Sequence, residues 1–398
     1  MLRLTGKNLR NIAVLALIMC ALAPLFVFTI VGRASTAQNS QTQRSTVAPT
    51  ASPEDVPPVM PTPKPKPSPT PAGVDDNDVE VVRVTSNLVM VPVSVVDAGG
   101  QPVLGLKQSD FTIEEEGHAQ EIAQIGDPDQ VPLDIAVLFD ASSSVRARHK
   151  FQQEAAAGFI KQLLKPIDHA AIFSIKEQPV LEQQLASADV AAAKLLKIQA
   201  AMGPTPTAFY DTIIRAAHYL AENSASNHRR VILTISDGED NFSEQIRDSS
   251  IAEAEALGRA QNETDRQRVR ASRRKSQEEL HRRALVEVQR EVERADAVFY
   301  SINPSGPSYR LNEISTRAEN GMEKLADTTG GSAFVLENLE DLPAAFRQIA
   351  GELRSQYLLQ YYSGDESSNG RYLHIKVGVP THPNLRVRAR QGYYTKRR

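Results

Sequence analysis

Two short apolar runs, Leu133 to Phe139 and Val231 to Ile235, are almost uninterrupted and rich in β-branched residues. Strands buried on both faces read this way, and such strands belong to parallel sheets covered by helices. Each run ends in hard-oxygen side chains, Asp140-Ala-Ser142-Ser-Ser144 after the first and Ser236-Asp237-Gly-Glu-Asp240 after the second. Open α/β sheets bind ligands outside the carboxyl ends of their strands, so residues far apart in sequence can converge there.

The intervening chain alternates strand and helix. Arg148 to Leu164 carries apolar residues at helical spacing (Phe151, Ala155, Phe159, Leu163), His169 to Ile175 reads as a strand, and Val190 to Met202 and Thr207 to Leu220 read as helices. Beyond them come a strand over Ala297 to Ile302, a helix through Met322 to Asp327 closed by Gly330-Gly331, a strand over Ser332 to Leu336 and a helix over Leu342 to Leu353. The alternation predicts the α/β class, with a doubly wound, mostly parallel sheet. No Gly-x-Gly-x-x-Gly follows the first strand, which argues against a dinucleotide site.

Between the two strand-end motifs lies a third, Thr207-Ala-Phe-Tyr-Asp211. In this order and spacing the three motifs resemble the von Willebrand factor type A (VWA) domain with its metal-ion-dependent adhesion site (MIDAS). The resemblance implies a Rossmann-like fold and a divalent metal held by Ser142, Ser144 and Thr207 through hydroxyls, with Asp140 and Asp237 binding directly or holding coordinated waters. Glu239 and Asp240 have no matched role. The family usually has a glycine close before the threonine. Here Gly203-Pro-Thr205-Pro-Thr207 stiffens the loop and offers Thr205 as an alternate ligand.

The chemistry supports such a donor set. Mg²⁺ prefers about six oxygens and gives up water reluctantly, so a few hydroxyls with carboxylates behind them suit it better than a closed carboxylate cage. That arrangement leaves the ion short of negative charge and open to an outside anion. In the family this is a carboxylate of a partner protein. Mn²⁺ and Ca²⁺ share these ligand types with Mg²⁺. On the residues alone, Ser144 and Thr207 also read as helix N-caps and the aspartates as strand-ending turns. Tyr210 and Asp211 read as helix-packing residues.

From Arg259 to Glu279 nearly every residue is charged or polar, Val269 being almost the sole sizeable apolar side chain, so no face there can anchor to a core. The segment is expected to project as a solvated helical hairpin or loop, with a partner-binding arm as the alternative. From Leu280 a helical stripe (Leu280, Ala284, Leu285, Val288, Val292) returns the chain to the sheet. The basic run of Arg266, Arg268, Arg270, Arg273, Arg274 and Lys275 has acidic flanks and few aromatics, which does not favour nucleic acid.

Both ends of this unit carry strand patterns. Upstream, Val89, Val91, Val93 and Val95 alternate, Asp97-Ala-Gly-Gly100 turns, and Phe111 to Ile113 forms another strand. Downstream, Tyr357 to Tyr362, Tyr372 to Val379 and Leu385 to Arg390 are strand-like. Neither flank has enough strands to stand alone, so the two are expected to pair into a small β-sandwich from which the α/β unit is an insertion. Pro102-Val-Leu-Gly-Leu106, Asp110-Phe-Thr-Ile-Glu114 and Arg388-Ala-Arg-Gln-Gly-Tyr-Tyr394 resemble the VWFA-related family of acidobacterial type, over about Val81 to the last residue.

At the start of the chain, Arg3, Lys7 and Arg10 precede Ile12 to Val31, an uncharged apolar stretch of 20 residues. At about 1.5 Å per residue it matches the ~30 Å hydrocarbon core of a bilayer. It reads as an uncleaved signal-anchor that leaves everything after it outside the cytoplasm; secretion after cleavage near Ser35-Thr-Ala37 is the alternative. The lone Cys20 lies in the span, Met19 makes a poor lipobox, and no intrachain disulfide is possible. Val47 to Gly73 has a proline at almost every second or third position and reads as polyproline II. At about 3.1 Å per residue it could hold the folded region up to roughly 80 Å from the membrane. The expected layout is therefore 1–33 signal-anchor or signal peptide, 34–77 proline-rich disordered linker, 78–130 upstream half of the sandwich, 131–354 VWA unit with a charged helical insertion at 243–295, and 355–398 downstream half of the sandwich.

With 45 Lys and Arg against 48 Asp and Glu, the chain is not a strongly basic nucleic-acid binder, and without tryptophan it is a poor candidate for sugar stacking. The expected function is a membrane-anchored, periplasmic module binding a protein partner through the metal. A metal-dependent hydrolase and a structural envelope spacer are the alternatives. No Gly-x-Ser-x-Gly or His-Glu-x-x-His occurs, and His149 is the one histidine near a ligand motif, so no enzymatic activity is expected.

Overall fold

The computed structural model describes residues 87–142, 148–203, 205–307, 313–365 and 369–395. The apolar span at 12–31, Cys20, the proline-rich linker and Ser144 lie outside them. Among the described residues no helix is long and apolar enough to cross a membrane.

The β-branched runs form the middle of a six-stranded sheet. Strand β5 (Leu133–Asp140) pairs in parallel with β6 (His169–Ile175) on one side and β8 (Arg229–Ile235) on the other. Strands β9 (Ala297–Asn303) and β10 (Ala333–Val335) extend it in parallel beyond β8, and β7 (Val180–Ala186) closes the other edge antiparallel, giving the order β10-β9-β8-β5-β6-β7. Alternate side chains of β5 feed opposite layers. Leu133, Ile135, Val137 and Phe139 pack with helices α1 (His149–Leu163), α2 (Ala188–Leu195) and α7 (Leu342–Arg354), while Ala136 and Leu138 pack with α3 (Phe209–Asn223), α5 (Glu263–Arg294) and α6 (Glu313–Thr329). The sheet is thus covered on both faces, which is why its inner strands tolerate so few polar residues.

Connections from β5 and β8 leave on opposite faces, through α1 and through the pair α4 (Glu244–Arg259) and α5 respectively. Their adjacent carboxyl ends therefore form a topological switch point, the crevice where such sheets bind ligands.

The flanking segments build two antiparallel four-stranded sheets around one apolar core. One has β1 (Leu88–Val96) and β11 (Tyr357–Tyr362) at its centre, with β13 (Arg386–Ala389) and β4 (Ile122–Gly126) at its edges. The other runs β14 (Gly392–Tyr394), β12 (Tyr372–Gly378), β2 (Thr112–Glu115), β3 (His118–Gln120). Val89, Val91, Val93 and Val95 point inward together with Ile113, Leu359, Tyr361 and Ile375, as a period of two requires. Arg229, at the start of β8, holds both chain crossings to the sandwich, donating to Leu353 O (2.7 Å) and to Pro128 O (3.0 Å).

One expected element is corrected, and four strands were not expected from the sequence. The helix expected over Val190 to Met202 is shorter, Ala188–Leu195, because the Gln153 side chain takes the carbonyls of Leu195 (2.9 Å) and Ile198 (2.6 Å), and Ala201 N–H turns away to Ala141 O (2.8 Å). Strand β7 is an edge whose Glu182-Gln-Gln core gives only a broken alternation. The short strands β3, β4 and β14 carry too few residues for a period to register.

Candidate functional site

The site is built on register. Phe139 of β5 lies beside Ile235 of β8, so Asp140 and Ser236 emerge as neighbours, and the Ser236 hydroxyl donates to Asp140 Oδ2 at 2.9 Å. Ser142 turns back over the strand end, its N–H donating to Asp140 Oδ1 at 2.8 Å and its hydroxyl also bonding that carboxylate. Asp237 follows Ser236 and accepts the Glu239 N–H (3.2 Å) in a tight turn. That turn needs Gly238, at φ +76°, because an added Cβ would lie 2.7 Å from Met322 Cε of α6.

Thr207 arrives from the far side of β5. Ala208 N–H donates to Lys176 O just past β6 (2.8 Å), while Thr207 O accepts from Asn241 and Phe242 N–H (both 3.1 Å) and Thr207 N–H donates to Asn241 Oδ1 (2.8 Å). The loop thus bridges from β6 to β8 across the end of β5, where Asp140 stands. The Thr207 hydroxyl makes no hydrogen bond among the described residues, although the residue is 9% exposed.

Of the sequence-predicted residues, Asp140, Ser142, Thr207 and Asp237 come to this one rim. Asp240, which had no expected role, is a structural clasp: its carboxylate accepts Tyr210 N–H (2.8 Å), Ser243 N–H (3.0 Å) and the Ser243 hydroxyl (2.5 Å), fixing the start of α3 to the loop after β8. Its spacing before Ser243 and Glu244 at the head of α4 was the signal available in the sequence. Asn241 left none, since its partners are backbone groups. Tyr210 is buried as expected, and Asp211 accepts the Glu244 N–H (3.0 Å).

Electrostatically the rim is unbalanced. Burial raises the Asp140 pKa above the usual carboxylate range against the hydrogen bonds from Ser142 and Ser236. Asp237 is pushed up to about 7, first by burial and then by the Asp140 carboxylate beside it; the Glu239 N–H and Arg148 oppose the shift. Neither aspartate has an ion-pair partner among the described residues, and Arg148 Nη1 is committed to Pro304 O (3.2 Å). His149, whose pKa burial lowers, sets its ring edge-on to Phe139 and leaves Nε2 buried without a partner among the described residues. Among the described residues no group of three His, Cys, Asp or Glu is placed to hold a metal. Two carboxylates and neutral hydroxyls are what remains. That all-oxygen donor set fits a hard divalent cation, whose charge would relieve the repulsion between the two acids.

No family model matches the sequence, and no curated protein matches it. Among solved structures it is similar to a von Willebrand factor type A protein from Catenulispora acidiphila, at 12% identity over 79% of this chain and 64% of that one, with a TM-score of 0.38. It is also similar to BatB from Bacteroides thetaiotaomicron (13% identity, 55% and 97% of the two chains, TM-score 0.37) and to the vWF domain of the type V pili tip protein Mfa5 from Porphyromonas gingivalis (14%, 55% and 94%, 0.38). At these TM-scores the fold is read from strand order and helix layers alone.

Proposed function

We propose that this chain is a VWA-type module that binds a protein partner through a divalent cation, Mg²⁺ or else Mn²⁺ or Ca²⁺, with an acidic side chain of the partner completing the ion's shell. Asp140, Ser142, Thr207 and Asp237 would hold the ion, joined by Ser144 if the family pattern carries over. The supporting observation is the pair of buried carboxylates, Asp140 and Asp237, at neighbouring strand ends of the switch point, with a Thr207 hydroxyl brought to the same rim that makes no hydrogen bond among the described residues. Structural carboxylates at such depth are normally matched by cations or several donors. The bound ion would supply a positive charge left partly unneutralised by hydroxyl ligands, which attracts an outside carboxylate and provides docking without requiring a nucleophile.

The reading extends to location: residues 12–31 would anchor the chain in the inner membrane and the 34–77 linker would hold the folded region away from it, outside the cytoplasm. Calorimetric titration of the full-length chain with Mn²⁺, followed by pull-down from envelope extract with and without chelator, tests the proposal. Metal uptake and chelator-sensitive capture are expected. Absence of metal uptake would refute the site, and turnover lost with the metal would move the chain to the hydrolase class.

A further inference from the structure

Helices α4, α5 and α6 enclose a cleft of about 1120 Å³ that is also lined by the Glu239-Asp240-Asn241 turn, which follows Asp237 in the chain. Small-molecule pockets usually span roughly 300–1,000 Å³, so this one has room for a length of polypeptide. Leu257 and Leu285 give it apolar wall.

Most acids lining it are already engaged. Glu253 accepts Gln277 Nε2 (3.1 Å), Asp240 holds the clasp described above, and Arg274 pairs with both Glu278 (3.3 Å) and Glu313 (2.9 Å). Two cations on α6 are not. The side chains of Arg317, half-buried, and Lys324, exposed, make neither an ion pair nor a hydrogen bond among the described residues. Beside Arg317 sits His281, 5% exposed, with Nδ1 3.3 Å from the Tyr210 hydroxyl. Burial and the Arg317 charge lower its pKa to about 3, so the ring is neutral. In the tautomer in which Tyr210 donates to Nδ1, the proton is on Nε2, which has no hydrogen-bond partner among the described residues. A half-buried guanidinium next to a ring N–H is a carboxylate-recognition pair.

We propose that this cleft is the second half of the docking site: an acidic segment of the partner leaves one carboxylate at the metal and runs between the α4–α5 hairpin and α6, placing a second carboxylate on Arg317. This rests on the metal-dependent reading above. The insertion then sets which acidic sequences are accepted, because a single carboxylate satisfies the metal but not Arg317.

The test uses the full-length chain and fluorescein-labelled oligo-glutamate as probe, with anisotropy read in Mg²⁺ and in chelator. Binding in Mg²⁺ is expected to weaken about tenfold (~1.4 kcal/mol) in Arg317→Glu and much less in Arg317→Lys. Mn²⁺ affinity and the circular dichroism spectrum should stay at wild-type values in both. Arg266→Glu, on α5 outside the cleft, controls for general attraction and should bind as wild type. If wild type takes up no Mn²⁺, both readings fall. If Mn²⁺ binds but Arg317→Glu keeps its probe affinity, if Arg266→Glu loses as much, if chelator changes nothing, or if oligo-thymidylate binds as tightly, the cleft assignment alone is overturned.

Discussion

The two ends of the six-stranded sheet treat buried acids in opposite ways. At the amino end, Asp168 accepts backbone N–H groups from Leu133 and Lys165 (2.8 Å each), and Asp134 lies between the imidazoles of His228 (2.8 Å) and His169 (3.4 Å). Glu352, fully buried, has Arg388 Nη2 at 2.7 Å, an ion contact whose angle falls short of a hydrogen bond, and the Ser332 hydroxyl at 3.0 Å. At the carboxyl end, Asp140 and Asp237 have donors but no ion-pair partner among the described residues, and the Asp140 carboxylate makes Asp237 harder to ionise. Among the matched acids Glu352 also ties the sheet to the sandwich, through Arg388; the unmatched pair are the acids that the proposed cation would neutralise.

The largest effect should come from breaking the matched end. Glu352→Ala removes the carboxylate facing Arg388, whose Nε and Nη2 atoms are buried although the side chain is 29% exposed, a loss at the low end of the about 3–5 kcal/mol typical of a fully buried pair. Urea denaturation should show that loss while Mn²⁺ affinity stays at the wild-type value. A metal-binding defect in this variant would mean the two ends are not independent.

Next is the unmatched end. Asp237→Ala is expected to lower Mn²⁺ affinity about 100-fold (~2.7 kcal/mol), because it removes one of the two carboxylates in the donor set. Unlike Glu352→Ala, it should leave chelator-treated protein at least as stable as wild type, since a repelling buried charge is gone. Equal destabilisation by both variants would erase the distinction drawn here.

Much of this was legible in the sequence, for identifiable reasons. Strands such as Leu133–Asp140 announce themselves because burial on both faces leaves little room for polar residues, and a motif at the end of such a strand inherits its position. What was hidden depends on backbone acceptors and on charge. Lys176 O and Thr207 O position the bridging loop, but a carbonyl belongs to every residue and marks none. The charged insertion was expected as a helical hairpin or a loop, but only from Leu280 onward does a core-facing stripe mark helix α5 in the sequence. Its outer half is continuous because pairs such as Arg274–Glu278 and Arg283–Glu279 stabilise successive turns, a local signal with no core-facing stripe.

A third prediction extends the comparison to acid. His281, on the rim side, has a folded pKa near 3 against an ordinary 6.5. Between those values the unfolded chain binds a proton that the folded chain refuses, so stability is complete above the upper value and declines as pH falls toward the lower one. At about pH 5 the expected penalty is on the order of 2 kcal/mol, and His281→Gln should remove it while keeping an acceptor for Tyr210. Identical pH slopes in the two proteins would show that the ring is solvated rather than enclosed.

The smallest effect is expected where neither end of the sheet reaches. The tip of the α4–α5 hairpin buries almost nothing, and its ion pairs, such as Arg268–Asp265 and Arg259–Glu255, are exposed. Exposed pairs of this kind contribute about 0–1 kcal/mol. Gln277 bonds Glu253 across the hairpin, so a cut must spare both; replacing 257–273 with a short Gly-Ser turn does so. Thermal melting should shift by no more than ~3 °C, about 1 kcal/mol for a domain of this size. Because the same cut removes one wall of the cleft at Leu257, Ala271 and Arg270, probe binding should fall although stability and Mn²⁺ affinity do not. A hairpin that proved indispensable for folding would instead belong with the matched acids, as a piece of the frame.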